Sequence, residues 1–486
     1  MADRRALFIG GEQVAATGGR TTTDLNPHTG EVMAEVAAAS PADVTRAVDA
    51  ADAAFAAWST SAPTLRRQIL NRAADLLEQR RTEGAGLMAR ETGGTFGWSM
   101  FNVGLAANML REAAALTTAP IGEVLATDDP DAMSLAVRQP AGVVAAFAPW
   151  NAPLILGARA IAAPLAAGNT VVVKASEEAP LAGALFLADL LHEAGLPAGV
   201  LNVLTNDRRD AAVIAETLIA DPRVRRVNFT GSTGIGRRIG ELAARHLTPA
   251  VLELGGKNSV LVLDDADLEY AVNAVAFGAY LNSGQICMSA DRVVVHRSIA
   301  DEFSARLAEK AKGLPGGDPA DASVVIGPLI NADAARRVAG LVDEAVAAGA
   351  RVLAGGGSPD GAHYPATVVA GVAPGMRIHT EEIFGPVATV LTVNDDADAV
   401  RVANDSPYGL TAGVVTGDQS RGLAVARRLR TGIAHVNDQS VDDEPMAPFG
   451  GVGDSGYGRF GGRAGLEAFT DLRWITLRQR PRHFPF

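Results

Sequence analysis

From about residue 142 onward, short apolar runs alternate with amphipathic stretches in a regular order. The runs at 142–148, 170–174, 201–204, 224–229 and 250–254 are rich in small and β-branched apolar residues. Between them, 152–166, 181–194, 209–219 and 233–247 repeat apolar residues at three and four. Uninterrupted apolar strands separated by amphipathic helices predict an α/β fold with a parallel sheet covered on both faces. Such a sheet binds ligands beyond the carboxyl ends of its strands. The alternation continues with strands at 259–263 and 292–296 and helices at 268–282 and 300–312. Further helix and strand units run to about 437, and a glycine-rich segment, 449–462, follows.

The first 140 residues read differently. Residues 6–15 predict a hairpin around Gly10-Gly11. The span 40–79 is helical, with Ser40 as N-cap ahead of Pro41-Ala42-Asp43. A second helical run covers 97–116; its Trp98, Phe101, Leu105 and Leu110 are either core or the rim of a pocket. Between 118 and 140 the helical period lapses and 133–138 alternates as a strand does, an excursion from the first domain. The tail from 470 to 486 contains Trp474-Ile475-Thr476-Leu477, a strand in need of a partner.

Length and composition narrow the class. A chain of 486 residues exceeds one core and predicts two or three domains. The longest apolar stretch, 141–173, carries Pro149, Asn151, Pro153, Arg159, Pro164 and Asn169, so it reads as buried strand and helix and no membrane span is expected. No apolar run of signal length precedes Gly10-Gly11, and one cysteine excludes a disulfide framework or a cysteine-rich metal site; a cytoplasmic protein without a metal is expected. A net charge of −12 with no basic stripe argues against a nucleic-acid partner. Only four of the 43 basic residues are lysine, and two of these, Lys174 and Lys257, stand in short loops flanked by serine or glycine.

The single cysteine, Cys287, lies in Asn282-Ser283-Gly284-Gln285-Ile286-Cys287. Most free cysteines are buried hydrophobes, but a thiolate is also the strongest nucleophile a side chain offers. Phe229-Thr230-Gly231-Ser232-Thr233-Gly234-Ile235-Gly236 joins a strand to a helix and suits a phosphate or an ordinary tight turn. Lys174 and Glu177 end a strand, where they fit ribose hydroxyls or form a surface pair. Pro149-Trp150-Asn151-Ala152-Pro153 fixes one amide between two prolines, as an oxyanion donor or a helix cap. Glu253, ahead of Gly255-Gly256, is placed as a general base or a loop carboxylate. In Glu381-Glu382-Ile383-Phe384-Gly385-Pro386, one carboxylate could take a ribose while the ring backs a flat group.

Taken together, these segments resemble the aldehyde dehydrogenase superfamily over essentially the whole chain. They are P-W-N at 149–151, K-A-S-E at 174–177, F-T-G-S-T-G-I-G at 229–236, E-L-G-G-K-N at 253–258, N-S-G-Q-I-C at 282–287 and E-E-I-F-G-P at 381–386. The last are P-F-G-G at 448–451 and S-G-Y-G-R at 455–459. The resemblance implies a Rossmann-like NAD domain from 1–119 and 141–252, a second α/β catalytic domain at 253–448, and a small β oligomerisation arm with its tail strand at 120–140 and 465–486. It implies that Cys287 attacks the aldehyde carbon, Asn151 and the Cys287 N–H hold the oxyanion, and Glu253 activates the hydrolytic water. Trp150, Lys174, Glu177, Phe229, Gly231, Ser232, Gly236, Glu382 and Phe384 match cofactor contacts. Glu177 favours NAD over NADP, because it would repel a 2′-phosphate. Lys257 has no chemical role that the residues reveal.

The substrate reading rests on departures from the common pattern. Gly453 and Phe460 stand where many members carry lysine and glutamate, and the runs at 435–445 and 456–462 are similar to the benzaldehyde, salicylaldehyde and vanillin branch. Arg159, eight residues after Asn151, takes a tunnel-lining position; it either contacts a ring-substituted aromatic aldehyde or is a salt-bridged helix arginine. An aliphatic or semialdehyde dehydrogenase, a coenzyme A-acylating relative and a non-catalytic ligand-binding protein are the alternatives; Glu253 weighs against the second. The arm resembles one that pairs strands between subunits, which predicts a homodimer or homotetramer.

Overall fold

The computed structural model describes residues 3–486. An eight-stranded sheet runs in the order Gly456–Tyr457, Ala250–Glu253, Val224–Thr230, Val143–Phe147, Thr170–Lys174, Leu201–Leu204, Leu7–Ile9, Glu12–Val14. The five strands from Ala250–Glu253 to Leu201–Leu204 are mutually parallel. Along the chain the first three of these are laid down in one direction from Val143–Phe147. The chain then returns to place Val224–Thr230 on that strand's other side. This reversal opens a crevice at the strands' carboxyl ends, where Trp150-Asn151 and Gly231-Ser232 emerge side by side.

A seven-stranded sheet follows the order Arg351–Ala354, Thr367–Ala370, Val387–Val393, Arg292–His296, Ser259–Val262, Thr411–Val415, Ile433–Val436. All but the first strand are parallel, and the central strands are buried from end to end. Burial on both faces is what makes those runs uninterrupted in the sequence. The glycine-rich segment returns to the first sheet, where Gly456–Tyr457 lies antiparallel to Ala250–Glu253.

The helical span at 40–79 is two helices, Pro41–Ser59 and Pro63–Gln79. Pro63 cannot continue the first helix, and it opens the second. Ser40 caps as expected, in a reciprocal box with Asp43. Helix Arg81–Thr92, which the apolar pattern did not suggest, ends on left-handed Gly93. Helix Phe96–Leu116 matches the expectation, and the segment after Pro180 starts as a π-turn, Leu181–Leu185, before the α-helix Phe186–Glu193.

The excursion and the tail find each other. Ala132–Pro140 pairs along its length with Thr470–Arg478 on one side and with Gly122–Leu125 on the other. This sheet leaves Trp474, Leu472, Leu477, Val124 and Met133 exposed. No helix of the described residues is long and apolar enough to cross a membrane.

Candidate active site

Cys287 is delivered by a strained turn. After helix Leu268–Tyr280, Asn282, Ser283 and Gly284 all take positive φ, at 49°, 54° and 71°. A non-glycine residue held in this region costs on the order of 1–3 kcal/mol, so the surroundings must hold it there. They do so with hydrogen bonds: Ser283 Oγ donates to the Gly327 carbonyl at 3.0 Å, and Ile330 N–H donates to Gln285 Oε1 at 2.9 Å. Asn258 Nδ2 donates to the carbonyls of Cys287 and Ser289, at 2.8 and 3.0 Å. Burial, and after it the Glu253 carboxylate, push the Cys287 thiol well above the usual thiol range.

Asn151 is held from two sides. Trp98 Nε1 and Asn282 Nδ2 donate to its carbonyl at 3.1 and 3.0 Å, and its own Nδ2 donates to the Gln285 carbonyl at 2.9 Å. One of its two amide hydrogens is thereby used for positioning, two residues before the thiol. Glu253, the last residue of its strand, is 1% exposed and neither carboxylate oxygen has a partner. Burial pushes its carboxyl up to about 7, against the pull of the Arg159 guanidinium. A carboxyl near neutrality suits a general base.

Three adjoining cavities meet here. One of about 300 Å³ is lined by Trp150, Asn151, Glu253, Cys287, Glu382 and Phe384 among others. Through Trp150, Gly231 and Ser232 it shares walls with a cavity of about 730 Å³ that also takes in Lys174, Glu177 and Phe229. Through Asn151 and Cys287 it shares walls with a third, of about 720 Å³.

In the second cavity Lys174 and Glu177 pair with each other, and Asn206 Nδ2 donates to Glu177 at 2.9 Å. Burial lowers the Lys174 pKa. For Glu177 burial works in the opposite sense, but Lys174 and Asn206 bring its carboxyl below the ordinary value. Glu382 accepts the Gly256 N–H at 2.8 Å, and burial pushes its carboxyl up to about 8. Phe384, at φ 48°, meets Trp150 edge to face with ring centres 5.6 Å apart. A Cβ on Gly231 would lie 2.7 Å from the Phe229 ring, and one on Gly255 would lie 2.4 Å from Glu382. Neither position has room for a side chain. Gly236 lines neither cavity; a Cβ there would meet the Leu254 side chain at 2.2 Å, so glycine lets its helix pack against the end of strand Ala250–Glu253.

The third cavity is lined by Trp98, Phe101, Leu105, Phe277, Met288 and Phe449 beside Cys287. Trp98 and Phe101 stack with centres 5.6 Å apart, so the two aromatics that the sequence left between core and rim form a wall. Arg159 reaches this cavity from helix Pro153–Ala166, ion-paired with Asp443 and with its guanidinium 4.0 Å from the Phe449 ring centre. Sequence reasoning missed Asp443, Asn258 and Asp291. Each lies inside or beside a segment already singled out, but the contact that matters crosses between segments.

The family model described as "Aldehyde dehydrogenase family" matches residues 14–475. The chain is 53% identical over 479 residues to a vanillin dehydrogenase of Pseudomonas fluorescens, covering 99% of each. It is 41% identical over 474 residues to an NAD(+) benzaldehyde dehydrogenase of Pseudomonas putida, covering 97% of this chain and 96% of that one. A crystal structure of a salicylaldehyde dehydrogenase from Pseudomonas putida G7 complexed with salicylaldehyde superposes over 100% of both chains, with a TM-score of 0.97 at 43% identity. A thiol, a buried carboxyl near neutrality and a tethered amide meeting between two large cavities are thus set in a chain that belongs, over nearly its whole length, to the aldehyde dehydrogenase family.

Proposed function

We propose that the chain oxidises an aromatic aldehyde of the benzaldehyde type to its carboxylic acid with NAD. Cys287 Sγ attacks the aldehyde carbon while Glu253 takes the thiol proton. The developing oxyanion is met by the free N–H of the Asn151 amide and the Cys287 backbone N–H; losing one such donor costs about 2.7–4 kcal/mol in the barrier. The chemistry supplied by bound NAD is hydride acceptance, which takes the Cys287 adduct from thiohemiacetal to thioester. Glu253, once it has passed the thiol proton to solvent, deprotonates a water that attacks the thioester carbonyl, releasing the acid and returning the proton to the Cys287 thiolate.

The residues fit the dinucleotide. The cavity of about 730 Å³ sits at the reversal of strand order, Gly231 and Ser232 line it just ahead of helix Thr233–Arg245, whose first N–H groups suit a phosphate, and Glu177 with Lys174 would meet ribose hydroxyls. Glu382 and Phe384, on the side toward Cys287, would hold the second ribose and back the nicotinamide ring. The observation that carries the substrate class is the third cavity, whose aromatic walls close on the thiol.

A lone nucleophilic cysteine suits the reducing cytoplasm. Exposed apolar side chains on both sides of the arm sheet, Leu472 and Trp474 on one and Met133 and Leu477 on the other, support a homodimer or homotetramer. Following NADH formation with benzaldehydes and with hexanal, using Cys287→Ala as the blank, tests the reading. A higher kcat/KM for the aromatic set is expected, and a preference for hexanal overturns it.

A further inference from the structure

The pair at the wall of the third cavity is incompletely satisfied. Asp443 Oδ2 accepts from Arg159 Nη2, yet Asp443 Oδ1 has no hydrogen-bond partner, although the side chain is only 8% exposed. Arg159 is 6% exposed and packed over Phe449, so its guanidinium cannot turn away to solvent. The rest of the wall is dominated by apolar and aromatic groups, which offer that oxygen no donor. A buried carboxylate oxygen without a partner is costly, and a fold keeps one where a ligand supplies the missing hydrogen. Arg159 fixes the carboxylate through Oδ2 and opposes the burial that pushes its pKa up.

We infer that Asp443 reads a hydroxyl on the substrate ring, accepting its hydrogen bond through Oδ1, so that the pocket prefers hydroxylated benzaldehydes to those lacking a donor. This rests on the aromatic reading of the same cavity. Arg159 acts through Asp443 as a positioning residue, and its stacking on Phe449 leaves the ring-binding space to the aromatic wall. A pocket built to accept a donor rejects an analogue without one, because the acceptor is then left buried and unpaired.

The test measures kcat/KM for 2-, 3- and 4-hydroxybenzaldehyde, each against its methyl ether, which keeps the ring oxygen and lacks the donor. Wild type is compared with Asp443→Asn and with Arg159→Leu/Asp443→Leu, which removes both charges and leaves neither partner stranded. In wild type at least one hydroxyl isomer should exceed its ether by about tenfold or more, the scale of one hydrogen bond to a charged group. Asp443→Asn should cut that ratio several-fold by removing the charge, and the leucine pair should bring it to about one. A wild-type ratio of one for all three isomers, or a ratio unchanged in both variants, overturns the inference. If wild type oxidises hexanal and no benzaldehyde, the aromatic reading itself has failed. If it oxidises benzaldehydes with no dependence on Asp443, only the present inference has.

Discussion

The Lys257 ammonium lies 3.1 Å from the Asp291 carboxylate, and both side chains are sealed from solvent. Asp291 also accepts the Ile383 N–H at 2.9 Å, one residue past Glu382, while Asn258, next to Lys257, holds the Cys287 carbonyl. One ion pair therefore joins the loop after Glu253, the end of the cysteine segment and the loop that carries Glu382 and Phe384. Lys257 has a structural role here, which the sequence alone did not reveal.

Removing one partner of a buried pair strands the other, at a cost of about 3–5 kcal/mol. Lys257→Met should lower the urea midpoint accordingly, and Lys257→Met/Asp291→Leu should recover part of the loss. A single variant as stable as wild type would show that the pair ties nothing together.

Glu253 must be ionised to take a proton from water. With its carboxyl pushed up to about 7 by burial, its ionised fraction falls tenfold per pH unit below that value. Steady-state kcat should rise with pH to a plateau above about 7 wherever thioester hydrolysis limits the rate. Glu253→Gln should lose that limb, slow the first NADH release and stall after at most one NADH per site. Unimpaired turnover in the variant would remove Glu253 from the hydrolytic step.

The same burial has a stability consequence. A carboxyl whose pKa is raised on folding stabilises the folded chain below its unfolded value, and that contribution is lost as pH rises through the folded value. From 4.5 to about 7 the linkage amounts to about 3 kcal/mol. Glu253→Gln should therefore be more stable than wild type at pH 8 and match it near pH 4. Equal unfolding free energies at pH 8 would show that the ionised side chain is not desolvated.

In the proposed cofactor site Glu177 would face a 2′-phosphate; the side chain is paired with Lys174 and bonded by Asn206. Glu177→Gln keeps its size and removes the repulsion, so kcat/KM for NADP should rise relative to that for NAD by about tenfold, the scale of one uncompensated charge contact. A discrimination ratio that does not move would place the adenosine ribose elsewhere.

Gly284 combines φ 71° with no room: a Cβ would lie 2.1 Å from the Gly385 carbonyl oxygen, next to Phe384. Gly284→Ala should displace the turn before Cys287 and cut kcat together with Tm. Gly18→Ala is the control, since Gly18 has φ 81° and open space around it. It should show only the backbone cost of about 1 kcal/mol or slightly more. If both variants lose the same stability and neither loses activity, the crowding at Gly284 is without consequence.

Much of the frame is legible in the amino-acid sequence. Strands Thr170–Lys174 and Arg292–His296 fall where the pattern places them, because burial on both faces leaves an apolar run, and helix Ala300–Lys312 does because its buried residues recur at three and four. The break before Pro63 is hidden, since the helical period carries through an alanine-rich stretch without interruption. Helix Arg81–Thr92 is hidden for the opposite reason: Gly84 and Gly86 dilute its apolar face, and its packing supplies what its own propensity lacks.

The chemistry divides along the same line. Cys287, Glu253 and Asn151 are marked by their immediate neighbours, because prolines and glycines that set the local backbone are written beside them. Their mutual placement is not written there. Val143–Phe147 and Val224–Thr230 become neighbours only when the sheet reverses its order, and that brings Asn151 and Gly231 to one crevice. The pairs Asn258 with Cys287, Lys257 with Asp291 and Arg159 with Asp443 span 29, 34 and 284 residues. No local period records such contacts, since they depend on which strands lie side by side. The sequence by itself determined the elements and the reacting groups, through burial and backbone constraint. The tertiary structure decided which charges share a low-dielectric interior, and so which side chains are held, which are strained and which oxygen is left for a substrate.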